Sequence, residues 1–120
     1  MENIQSKMKQ LFGNSCYIYC IGYLRGLRDI KDLTRFVLQA WRDGNVEDDG
    51  YVAYPDILMG CRLVNKVPYK PSAKDQIVCW EYNGKTHFVV MRNGNVVFDP
   101  SGDSDTVKFG NIKDAREFVR

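Results

Sequence analysis

No stretch of this chain is apolar for long enough to cross a bilayer; the longest such run, Cys16 to Leu24, is about half a membrane span. The opening MENIQSKMKQLFGNS holds neither an apolar core nor a small-residue cleavage site, so the expected location is cytoplasmic and no membrane partner is expected. Histidine occurs once, at His87. The four cysteines (Cys16, Cys20, Cys61, Cys79) contain no CxxC pair. No Cys/His zinc set can therefore be assembled, and neither a metal nor a cofactor is expected. In a reducing compartment these are free thiols, either small buried hydrophobes or a nucleophile. A dominant charge is missing too. Seventeen Lys and Arg against 15 Asp and Glu leave a formal +2, and no basic run is interleaved with aromatics. Nucleic acid is not an expected partner. Repeats, low-complexity tracts and Pro/Ser-rich linkers are also absent, so residues 1–120 read as one domain.

The residues present describe an α+β domain. Hydrophobic residues make up 44% and aromatics 12%, which excludes wholesale disorder. Residues 1–10 suggest a short helix or arm. Cys16 to Leu24 (CYIYCIGYL) is apolar on every side and predicts a buried helix, capped at Asn14 or Ser15. Leu33, Phe36, Val37, Ala40 and Trp41 share a helical face, predicting an amphipathic helix over Ile30 to Asp43 that Gly44 ends. After the acidic segment at 45–53, a short helix should start near Pro55 and stop at Gly60. The C-terminal half changes period. Ile77–Tyr82, Thr86–Met91 and Asn95–Asp99 predict strands joined by Asn83-Gly84 and Asn93-Gly94 turns. Ile112, Ala115 and Val119 predict a closing helix over Asn111 to Val119. Helices first and an antiparallel meander second is the α+β order.

Cys16 draws attention because the first turn of a helix stabilises a thiolate through unpaired amides and the helix dipole. Cys20, one turn deeper, loses that field. His87 could serve as base if an acceptor orients it. Strand register supplies one. A three-residue Arg92-Asn93-Gly94 turn would pair Met91 with Asn95, bringing His87 opposite Asp99 and leaving Phe88, Val90, Val96 and Phe98 as an apolar face. A two-residue turn would instead place Asp99 opposite Phe88, on the wrong face. The segment Asp99-Pro100-Ser101-Gly102 is also a turn by composition, and the two roles are compatible. Gln10, six residues before Cys16, can supply an amide donor for an oxyanion.

These residues resemble a known group. Gln10-Leu11-Phe12-Gly13-Asn14-Ser15-Cys16-Tyr17 resembles the glutamine, six-residue step, cysteine and aromatic of papain-like cysteine peptidases. His87-Phe88-Val89-Val90-Met91 followed by Val97-Phe98-Asp99-Pro100-Ser101-Gly102 is similar to the bacteriocin-processing, double-glycine-leader branch. Around Gly13 to Tyr23 the chain is also similar to uncharacterised spirochaetal families of that fold. The resemblance implies a papain-like fold, with Cys16 as nucleophile, His87 as base, Asp99 as orienting residue and Gln10 as oxyanion donor. It covers residues 10–24 and 77–102. The chain departs from the branch in having Tyr17 where a glycine usually follows the cysteine, and in being short.

Three functions fit this reading. One is a cysteine hydrolase, a peptidase or amidase working through a thioester on a peptide or amide substrate. Another is a catalytically weak or inactive domain that binds a peptide or protein in the same groove. The third is a peptidoglycan amidase or endopeptidase. Glu47, Asp48, Asp49, Asp103 and Asp105 read as solvated loop acids, and Trp41 and Trp80 as core or groove-wall residues.

Overall fold

The computed structural model describes residues 16–102 and 105–120 of the chain. The expectations for residues 1–10, for a cap at Asn14 or Ser15, and for Gln10 and Asp103 lie outside them. Four helices are described: α1 (Cys16–Leu24), α2 (Ile30–Arg42), α3 (Pro55–Met59) and α4 (Asp105–Phe109). Five strands, β1 (Leu63–Val67), β2 (Gln76–Tyr82), β3 (Lys85–Arg92), β4 (Asn95–Phe98) and β5 (Asn111–Val119), form one antiparallel sheet in the order β1-β5-β2-β3-β4. The architecture is α+β.

The all-round apolarity of α1 has a direct packing consequence. Ile18 packs with Val37 and Ala40 of α2 and with Val46, while Cys20 and Ile21 pack with Ile77 and Val90 of the sheet. The helix is thus buried between a helix and a sheet. Each fully buried aliphatic side chain contributes about 1.5–3 kcal/mol relative to exposure. Helix α2 presents Leu33, Val37 and Ala40 inward, as its period predicts. It starts on Asp29, whose carboxylate accepts the Lys31 N–H at 2.8 Å. Helix α3 opens at Pro55 and ends at Gly60, which adopts φ 66°. Among the described residues no helix is long and apolar enough to cross a membrane.

The two hairpins form at the expected dipeptides. Asn83 and Gly84, and likewise Asn93 and Gly94, all take positive φ (50°, 78°, 53° and 79°), the requirement of a two-residue type I′ turn. The register after the second turn corrects the expected three-residue turn. Arg92 pairs with Asn95 and Met91 with Val96, after which the register shifts so that Val90 faces Phe98 and Val97 is the extra residue. A β-bulge inside β4 therefore restores the face that the tight turn alone would have lost. Phe88, Val90 and Phe98 pack against α1 as expected, but Val96 stays exposed.

The closing helix is also corrected. Residues Asn111–Val119 form β5, a central strand paired with β1 on one side and β2 on the other. Ile112, Ala115 and Val119 match a helical face, and the alternation is hidden because Asp114 and Arg116 occupy positions on the covered face. They are tolerated there as an ion pair with little exposure. Two-sided strand pairing then overrides the local pattern. Asp105, read as a loop acid, begins α4 instead.

Gly110 lets β5 enter the sheet. A Cβ there would lie 2.3 Å from the backbone oxygens of both Glu81 and Thr106, and the Gly110 N–H donates to the Thr106 oxygen at 3.0 Å. Gly110→Ala should lower unfolding free energy by about 1–3 kcal/mol in urea titration, the usual cost of overpacking. An unchanged midpoint would contradict this placement of β5.

Candidate functional site

The site forms where β3 passes the N-terminal end of α1. Tyr17 packs edge-on against Phe88, with ring centroids 4.7 Å apart and planes at 81°. That contact carries the preceding residues of the two elements, Cys16 and His87, together. Cys16 is the first described residue of α1 and is half-buried. Its side chain neighbours the His87 ring closely enough to favour the ring's charged form. His87 retains only 7% of its surface and is the one buried polar or charged residue among the described residues.

Asp99 holds the other side of the ring. His87 Nε2 lies 2.7 Å from Asp99 Oδ1, and both side chains are 9% exposed. A carboxylate only accepts, so Nε2 carries the proton and Nδ1 is left for Cys16. The bulge explains the reach. With Val90 opposite Phe98, one further step brings Asp99 opposite Val89, diagonal to His87 and on its face. The directly opposed His87–Asp99 pairing expected from the sequence is replaced by this diagonal one. Asp99 is fixed from behind as well: Oδ1 accepts the Ser101 N–H at 2.9 Å and its carbonyl accepts the Gly102 N–H at 3.0 Å. The turn and the orienting contact thus coexist.

The electrostatics of His87 follow from this geometry. Burial is the largest influence and disfavours the charged ring, yet the hydrogen bonds and charges of Cys16 and Asp99 outweigh it. The net effect raises the histidine above its ordinary value of 6.5. Among the other thiols, burial pushes Cys20 well up and raises Cys79. Cys61 is half-buried and directs its sulfur at the Leu63 carbonyl, 3.6 Å away. The arrangement at Cys16 can pass a thiol proton to an oriented imidazole. Gln10 lies outside the described residues.

Cys16 and His87 line a cleft of about 590 Å³. Its walls include residues that the sequence alone did not single out, among them Gly50, Tyr51, Lys66 and Arg116. The segment read as a solvated acidic loop is a built wall. Trp41 Nε1 donates to Asp48 at 2.8 Å, Asp49 accepts the Tyr51 N–H at 3.0 Å, and Val46 bridges Val52. Trp80 stands across from His87 in the β2–β3 pairing, but packs with Val78 and Val89 rather than lining the cleft. Among the described residues no group of three or more His, Cys, Asp or Glu side chains could hold a metal ion. Comparison with known proteins adds no neighbour: no family model, curated protein or solved structure matches the chain.

The raised histidine has a measurable sign. A group with a raised folded value contributes stability that is fully present below its unfolded value and lost as pH rises through the folded one. The His87 ring resonance should titrate with a midpoint above 6.5, and Asp99→Asn should lower that midpoint. A midpoint at or below 6.5 in the native chain would contradict the ring's two contacts.

Proposed function

We propose that this chain is a papain-like cysteine hydrolase acting on peptide or amide bonds. The observation that carries the reading is one imidazole between a helix-end thiol and a carboxylate whose side chain is only 9% exposed, at the edge of an open cleft. His87 would take the Cys16 proton at Nδ1, and the thiolate would attack the substrate carbonyl. The imidazolium would then protonate the departing amine, leaving a thioester on Cys16 that water hydrolyses. Asp99 keeps the ring in the tautomer that accepts at Nδ1 and stabilises the cation as it forms. By the family resemblance, Gln10 would donate to the oxyanion.

The cleft favours an extended chain as substrate. Val64, Asn65 and Lys66 are consecutive strand residues, whose side chains alternate between faces, yet all three border the cleft. The cleft therefore runs along the edge of β1, which pairs only with β5 among the described residues. Unpaired strand amides and carbonyls are a template for an extended peptide.

Iodoacetamide labelling near neutral pH, read by peptide mapping, tests the thiol assignment. Cys16 should label faster than Cys20, Cys61 and Cys79, and His87→Ala should slow it by about 10²-fold, within the range of general-base contributions. Equal labelling of all four thiols would sink the hydrolase reading. Incubation with a peptide library then separates cleavage from binding. Cleavage abolished by Cys16→Ala is expected, whereas peptides retained intact by both forms would leave a binding domain.

A further inference from the structure

The floor of the cleft carries a pairing that sheets ordinarily avoid. In the β1–β5 register, Lys66 stands directly opposite Arg116. Directly opposed residues share a sheet face, and like charges there repel. Both side chains border the cleft that holds Cys16 and His87.

Arg116 is held in place from several sides. Its Nη1 pairs with Asp114 Oδ1, and its guanidinium carbon lies 5.1 Å from the Phe88 ring centre and 5.8 Å from that of Tyr17. The Arg116 side chain is only 10% exposed, whereas Lys66 is exposed and makes no ion pair among the described residues. The Asp114 carboxylate thus pairs with Arg116 and leaves Lys66 without an ion pair among the described residues. The acid that borders the same cleft, Asp49, belongs to the 47–51 loop and already accepts the Tyr51 N–H.

A fixed guanidinium with an exposed ammonium opposite is a suitable pair for one anionic oxygen group, the first by forked hydrogen bonds and the second as a point charge. We propose that Lys66 and Arg116 form an anion subsite that selects substrates carrying a carboxylate close to the bond presented to Cys16, from an acidic side chain or a free C-terminus. Substrate selection rests on the hydrolase reading; the electric field at Cys16 does not. Bound there, a carboxylate would also relieve the Lys66–Arg116 repulsion.

Methanethiosulfonate reagents read that field without requiring turnover. The Cys16 thiolate attacks the sulfenyl sulfur, a mixed disulfide forms and methanesulfinate leaves. With modification of Cys16 followed by mass spectrometry, the anionic sulfonatoethyl reagent should outpace the cationic trimethylammonioethyl reagent. Lys66→Glu, a change at an exposed position, should reduce that rate ratio at least about fivefold, and Lys66→Gln by less. A ratio that stays the same in Lys66→Glu overturns the subsite. If Cys16 reacts no faster than Cys61 with either reagent, the hydrolase reading falls, while the ratio at Cys16 still decides the subsite. Protection of Cys16 against the neutral methyl reagent distinguishes the carboxylate's source. N-acetylglutamate α-amide should protect if it is a side chain, and N-acetylalanine if it is a C-terminus. N-acetylalanine amide protecting as well as both acids, or no protection by either acid, overturns the proposed selection.

Discussion

The burial of α1 between α2 and the sheet is the constraint on which the site depends. A nine-residue helix apolar on every side has no solvent face to offer, so its position is set by contacts on both flanks. With Ile18 fixed against α2 and Cys20 and Ile21 fixed against Ile77 and Val90, the helix end cannot slide along β3. The Tyr17–Phe88 contact then fixes the distance between helix end and strand, and Cys16 and His87 follow as their chain neighbours. The approach of thiol and imidazole is thus a by-product of core packing.

Orientation of the ring is a separate matter, settled by the far hairpin. A type I′ turn at Asn93-Gly94 is favoured by strand twist, but an unbroken ladder beyond it would point Asp99 away from His87. The unpaired Val97 resolves the conflict between good turn chemistry and the required face. Bulges of this kind commonly re-aim a side chain beside a functional site. The Ser101 amide then holds the carboxylate so that its position does not depend on the histidine alone. Core packing places the thiol and the ring, and the bulge places the acid.

Much of this was legible where local chemistry decides structure. The periods of Leu33-to-Trp41, the Pro55 start and Gly60 stop, and both Asn-Gly dipeptides led to elements that form within a residue or two of expectation. The pairing of His87 with Asp99 was also reachable, because the bulged and three-residue-turn registers share the same parity. What stayed hidden depends on distant partners. The β5 segment holds Asp114 and Arg116 at covered positions, which breaks the alternation and imitates a helix. Lys66 gains meaning only through its pairing with a strand some fifty residues away in sequence. Tyr51 reaches the cleft wall through a loop whose hydrogen bonds leave no periodic trace. Nonlocal pairing, rather than residue type, separates the two groups.

The central claim is that Asp99 acts on Cys16 through His87. A double-mutant cycle on the iodoacetamide rate of Cys16 isolates that coupling. If the three groups act as one chain, Asp99→Asn slows the native protein but adds almost nothing once His87→Ala is present. Losses that simply add in the double variant would contradict the account.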